Sequence, residues 1–450
     1  MHKGTLALAG ATVIDGNGGL PLPDAVVVVT DNRITAVGPS ATTRVPADAK
    51  RIDVRGKFVL PGLIDAHVHL GTSGGGTAYP EEFTAQTFAD NLRTYLIFGV
   101  TSIMDMAANP VLERQQEQLA KGELLGPRLF GVKYSITAPN SHPIGIFQRF
   151  HILERMRPVT AQVDTAEAAR DAVRKVAADR TAGVKIYHSR SEFPGNMCLD
   201  CDKEKMRPEV LTAVIDEAHK CGLKVYAHIA WPSEAREVIE AGVDVLAHPI
   251  THAESGADEV IALMAERGVK MHSTIVRIEA YYGLKVDPFM LDALRGRVSD
   301  VVLDSITRPR SVARMRHTAA GVTGDARHIM EVTMANVRRA VKAGVTVVMG
   351  TDAGGPGGMH GVSVPRELEL LNLAGLTPMQ AIVAATKSAA EVIGQGAALG
   401  TIEPGKLADL IVVDDDPLRD ISNIRKISAV MRDGELMATS SLLFPRDAVE

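Results

Sequence analysis

The chain has 450 residues, 46% of them hydrophobic and 23% charged, with 49 Lys and Arg against 54 Asp and Glu for a net charge of −5. This is the composition of a folded protein long enough for a large domain with an accessory one, and it lacks the basic surplus of a nucleic-acid surface. No run approaches the roughly 18 apolar residues of a membrane span, and three cysteines are too few, and odd in number, for a secreted disulfide framework.

The N-terminus has a short apolar run without a signal-peptide core, because Asp15 and Asn17 arrive early, so a cytoplasmic location is expected. Residues 6–8, 12–15, 24–30, 33–37, 51–54 and 57–60 alternate or run apolar between Gly, Pro, Asn and Asp, which predicts short strands of a small β-domain. From Val59 onward strand-like runs alternate with helix-length amphipathic segments. Eight runs are expected as parallel strands: 62–69, 100–106, 128–133, 184–187, 224–228, 243–248, 270–275 and 345–351. Helices are expected at 83–98, 166–178, 207–221, 232–241 and 257–267. Five of the strands follow a glycine closely (Gly99, Gly183, Gly222, Gly242 and Gly268), the signature of a helix closing into a strand.

Eight β/α units predict an α/β fold of the (β/α)8 TIM-barrel type. Two insertions, 134–160 after the third strand and 276–330 after the seventh, fall on the loop face where such barrels carry chemistry. They are expected either as lids or substrate walls, or as packing and oligomer contacts. Residues 406–414 and 427–437 return to β character, with a hairpin at Asp433-Gly434. The expected domains are 1–59 and 400–450, forming one discontinuous β-sandwich, and 60–399, the barrel.

Chemistry concentrates where the strands end. His67 and His69 are two apart on the first strand, so both rings face the same side. His228 ends the fifth strand, His248 the sixth, and Asp352 follows the eighth. A single strand-end histidine is ordinarily structural. Four with an aspartate on one barrel mouth point to a divalent-metal site. Lys185 lies inside the fourth strand among apolar neighbours, where an ammonium is costly unless paired or chemically changed. It is either ion-paired in the barrel, or, near two dications, a neutral amine that takes up carbon dioxide as a carbamate. Cys198-x-x-Cys201 sits in a polar loop with no second pair to complete a zinc site, so reduced thiols or a local clip are expected there.

These motifs resemble the amidohydrolase superfamily, within it the imidazolonepropionase-like and prolidase-like hydrolases. The matching stretches run from Val59 through Asp65-Ala66-His67-Val68-His69, then Gly99-Val100-Thr101-Ser102, Met349-Gly350-Thr351-Asp352-Ala353-Gly354, Gly375-Leu376-Thr377-Pro378 and Gly400-Thr401-Ile402-Glu403-Pro404-Gly405-Lys406-Leu407-Ala408-Asp409. The resemblance implies a binuclear centre. His67, His69 and Asp352 would hold one metal and His228 and His248 the other. N6-carboxylated Lys185 and a hydroxide would bridge them, and Asp352 would act as general acid/base. Two Zn2+ ions are expected, with Mn2+, Co2+ or Fe2+ as alternatives. The resemblance also implies a small-molecule amide substrate (a dipeptide, an N-acyl amino acid or an aryl amide such as a mycotoxin) and a homo-oligomer. Esters, lactones and carbamates are open to the same chemistry.

Five further residues are candidates for substrate binding. His142 resembles a family histidine near the substrate carbonyl, and His360 lies in the loop after Asp352; each either orients substrate or makes plain loop hydrogen bonds. Tyr187 shares the parity of Lys185, Arg277 either meets a substrate carboxylate or, more ordinarily, is solvated, and Trp231 forms either an apolar wall or ordinary packing. Competing readings are a mononuclear deaminase or cyclic-amide hydrolase, and a non-catalytic scaffold. The first is disfavoured by Lys185 and by Glu234, displaced from the usual place of a deaminase acid; the second by the retention of all six ligand positions.

Overall fold

The structure is a computed structural model. It describes residues 4–72, 74, 83–106, 109–149, 151–179, 181–190, 204–281, 294–307, 326–355 and 358–445. The Cys198/Cys201 loop and parts of the 276–330 insertion lie outside those residues.

The first five strands are β1 (Thr5–Val13), β2 (Leu22–Thr30), β3 (Arg33–Pro39), β4 (Lys50–Asp53) and β5 (Phe58–Pro61). The parallel set follows: β6 (Leu63–Val68), β7 (Val100–Asp105), β8 (Arg128–Gly131), β9 (Ser135–Thr137), β10 (Thr160–Gln162), β11 (Val184–Tyr187), β12 (Val225–His228), β13 (Val245–Leu246), β14 (Lys270–His272) and β15 (Val347–Val348). Three C-terminal strands complete the chain: β16 (Leu410–Val413), β17 (Ile427–Arg432) and β18 (Glu435–Ala438).

The two ends of the chain share one eight-stranded sheet, ordered β18-β17-β16-β5-β1-β2-β3 with β4 also on β1. β1 joins its two parts: Leu6–Ala9 pair with β4, and Thr12 and Val13 with β5. Irregularities in β1 between Ala9 and Val13 separate these registers, as bulges do where a strand must bend. Leu8 and Val27 from one part share an apolar cluster with Val59, Leu410 and Met431 from the other, so burial as well as pairing ties the termini together.

The remaining strands are parallel, in the orders β6-β7-β8 and β10-β9-β11-β12-β13-β14-β15. The chain departs from expectation at the third strand. It splits, with β8 pairing only β7 and β9 pairing β11, so the expected 134–160 insertion begins with sheet rather than loop. Ala182 N donates to Gly131 O at 3.0 Å across that break. Between β15 and β6, Ala66 N donates to Met349 O at 3.2 Å, and Asp352 N donates to His67 O at 2.7 Å. The eighth strand is shorter than expected: Val347 and Val348 pair regularly with β14, and the residues after them bond to β6 as well as to the segment that follows β14. Gly350 permits this close approach, since a Cβ there would come within 2.7 Å of His67 Cβ. This is an α/β fold of the TIM-barrel type, built on parallel strands.

Helices pack against the parallel strands. Ala85–Ile97 is capped by Thr84 and Ala166–Ala178 by Thr165, whose side chains accept from N–H groups of the first turn. Pro208–Lys220 and Pro232–Glu240 begin with proline, which suits a first turn that needs no N–H. Four of the five expected glycine closures have positive φ; Gly183 does not, and there a Cβ would strike the Tyr226 ring at 2.6 Å. Among the described residues no helix is long and apolar enough to cross a membrane.

Candidate metal centre

Strand ends bring the candidate ligands together. His67 Nε2 and His69 Nε2 are 3.3 Å apart, and Asp352 Oδ1 lies 2.9 Å from His69 Nε2 and 3.5 Å from His67 Nε2. These ligand atoms all lie within 4.8 Å of one another, a spacing one divalent cation can span. Lys185 Nζ is 3.5 Å from His67 Nε2 and fully buried. The His67 and His248 rings are 4.9 Å apart and the His248 and His228 rings 4.5 Å, centre to centre. All six candidate ligands therefore form one contiguous group.

The electrostatics fit cation binding. Burial, reinforced by Lys185, pushes His67 well below its ordinary value, and burial with His228 and Lys185 does the same to His248. Neutral imidazole is the ligating form. Burial alone would raise Asp352, but Arg277 and His69 outweigh it and hold the carboxyl below its ordinary value.

The candidate substrate residues divide into two groups. His142 stacks on the His228 ring at 4.5 Å, and Tyr187 lies 5.1 Å from His142 and 5.2 Å from His228, so these border the centre. Arg277 does too: its Nε is 2.7 Å from Asp352 Oδ2. His360 instead bonds through Nδ1 to the buried Tyr95 hydroxyl at 2.9 Å. Trp231 stacks on His252 at 4.1 Å, at the start of the helix Pro232–Glu240.

Several supporting residues escaped the sequence reading. Asp65, of the same parity as His67, accepts from Thr351 N at 2.9 Å and Thr351 Oγ1 at 2.6 Å, locking β6 to the segment that carries Asp352. Burial pushes Asp65 up to about 7. His272, at the inward end of β14, places Nδ1 3.3 Å from His67 Nδ1, and burial with Lys185 lowers it to about 3. Both could have been found by carrying strand parity through to every polar residue. Glu234 is buried and accepts from the N–H groups of Ala230, Trp231 and Arg190 at 2.9, 3.1 and 2.7 Å. It is a capping group here, which a deaminase acid would not be.

The chain is similar over most of its length to known hydrolases. It is 27% identical over 460 residues to the ochratoxinase of Aspergillus niger, covering 95% of this chain and 85% of that one. It is 27% identical to the imidazolonepropionase of Geobacillus kaustophilus over 377 residues, 81% of this chain and 77% of that one. A crystal structure of a Xaa-Pro dipeptidase with methionine in its active site superposes with a TM-score of 0.74 at 24% identity, covering 96% of this chain and all of that one; it bears on the fold alone. The family match itself covers residues 58–437, from the strand before His67 to the last hairpin, and so the chain belongs to the amidohydrolase family.

Proposed function

We propose that this protein is a binuclear metal-dependent amidohydrolase that cleaves an amide bond in a peptide-like, N-acyl amino acid or aryl amide substrate. The observation that carries the proposal is the convergence of four imidazoles, Asp352 and a fully buried Lys185 in one group. His67, His69 and Asp352 would hold one cation, His228 and His248 the second, and carboxylated Lys185 would join them. Zinc is the first choice, with manganese, cobalt or iron as alternatives. Bound there, two dications supply an activated water at neutral pH and polarise the scissile carbonyl.

The chain's own residues do the rest. Asp352 takes the proton of the attacking water and passes it to the departing amine. His142 and Tyr187, packed around His228, flank the carbonyl. Arg277 presents its guanidinium beside Asp352, where a substrate carboxylate would meet it. Trp231 with His252, and His360 on Tyr95, form more distant walls. Residues 1–59 and 400–450 would make a β-sandwich beside a closed barrel of 60–399, in a cytoplasmic homo-oligomer.

The names of the relatives agree with amide chemistry. The mononuclear deaminase alternative is opposed by the capping role of Glu234 and by Lys185 beside His67. Incubation of zinc-, manganese- and cobalt-loaded enzyme with dipeptides, N-acyl amino acids, aryl amides and the matching esters tests the proposal. Metal-dependent release of a carboxylic acid and an amine is expected. Release of ammonia from a ring amine, or cleavage of esters with amides untouched, would overturn it.

A further inference from the structure

β14 ends at His272 and runs through Ser273, Thr274, Ile275 and Val276 to Arg277. Three side chains of this six-residue stretch reach three of the proposed ligands. His272 Nδ1 meets His67 Nδ1 at 3.3 Å. Thr274 Oγ1 meets His248 Nδ1 at 3.0 Å. Arg277 Nε meets Asp352 Oδ2 at 2.7 Å. In both histidines the segment occupies Nδ1, which leaves Nε2 as the ligating nitrogen. Ligands held from behind in this way keep their tautomer and direction.

The segment is itself held against its conformational preference. Thr274 has φ +34°, where a β-branched residue rarely sits. Its N–H donates to Gly350 O at 3.0 Å, and Ser273 N donates to Val348 O at 2.9 Å. The next two N–H groups open the helix Ile275–Tyr281 and have no acceptor within it. Ile275 N donates to Glu367 Oε1 at 3.0 Å and Val276 N to Glu367 Oε2 at 2.6 Å. Glu367 is fully buried on the separate helix Ser363–Leu373. It thus fastens the backbone between Thr274 and Arg277 to a rigid element more than ninety residues away in sequence.

We propose that residues 272–277 are a support shared by His67, His248 and Asp352, and that Glu367 is the positioning residue that anchors it. The inference rests on the metal-centre reading above. A Gln at position 367 keeps the shape but offers one acceptor oxygen, so one of the two N–H groups would face an amide N–H. Val at 274 keeps the branch and removes the hydroxyl from His248; Ser keeps the hydroxyl.

The test compares wild type, Glu367→Gln, Thr274→Val and Thr274→Ser, each loaded with zinc, for the rate of metal loss to a chromogenic chelator. The visible spectra of the cobalt-substituted proteins report ligand geometry, and circular dichroism reports folding. We expect Glu367→Gln and Thr274→Val to lose metal about tenfold faster or more with altered cobalt bands, and Thr274→Ser to behave as wild type. A folded Glu367→Gln protein with wild-type release and an unchanged spectrum would overturn the proposal. If Glu367→Gln fails to fold, Thr274→Val decides, and wild-type behaviour there overturns it equally. A wild type that takes up no metal would instead overturn the metal-centre reading, and this inference with it.

Discussion

Arg277 and Asp352 share a direct ion pair, with Arg277 Nε 2.7 Å from Asp352 Oδ2, while the other oxygen of that carboxylate faces His69 Nε2 at 2.9 Å. One carboxylate thus has one oxygen turned to the candidate ligand His69 and the other to the Arg277 guanidinium, and that cation sets how readily it takes a proton. Burial pushes Asp352 up, and Arg277 is the largest opposing influence.

Replacing Arg277 by Met removes that opposition. The Asp352 carboxyl then rises, so it is protonated at higher pH, and the acid limb of the kcat/KM profile moves up. The pH profiles of wild type and Arg277→Met on a neutral amide check this. On substrates bearing a carboxylate, the same variant should raise KM more than on neutral ones.

Asp352→Asn keeps the shape of the side chain and cannot accept the water's proton. We expect kcat to fall by about 10²–10⁴. The measurement is steady-state kinetics at matched metal content, which separates lost proton transfer from lost metal.

Asp105, fully buried at the end of β7, is pushed up to about 7 by burial, although Asn109 donates to its Oδ2 at 2.6 Å. A folded-state value above the unfolded one means the folded chain holds the proton more tightly. This stability is fully present below about pH 4 and is lost as pH rises through about 7. The shift corresponds to roughly 4 kcal/mol at about 1.4 kcal/mol per pH unit. Asp105→Asn cannot ionise, so its urea midpoint should fall less than that of wild type between pH 5 and pH 8.

Arg128 joins the parallel strands to the terminal sheet. Its Nε and one Nη meet both oxygens of Asp409 at 2.8 and 3.1 Å, and the same Nη reaches Asp433 at 2.7 Å. The Asp409 side chain is 2% exposed, so Arg128→Met strands a buried carboxylate. A loss of about 3–5 kcal/mol is expected, read by denaturant unfolding, with the metal-to-chain ratio of the folded protein unchanged.

Most of the parallel strands, and the meeting of the six candidate ligands at their ends, could be read from the sequence because both follow local rules. Alternation marks strands, and residues two apart share a face, which places His67 beside His69 and Lys185 beside Tyr187. What could not be read depends on contacts between distant segments. Nothing near Glu367 signals that it bonds Ile275 and Val276, and nothing near Asp65 announces Thr351. The break between β8 and β9 was also hidden, because the apolar run continues through it while the pairing partner changes. From the sequence Arg277 is either a substrate contact or a solvated cation; its ion pair with Asp352 emerges only when β14 and β15 are side by side.

Metal per chain, measured on wild type and Lys185→Ala purified without chelator, decides whether the site holds two metals and depends on Lys185. About two equivalents are expected in wild type and a sharp fall in the variant, with activity partly restored by a short-chain carboxylic acid that replaces the carbamate. One equivalent in both proteins would contradict the two-metal site, leaving Lys185 as a structural residue and the site as mononuclear.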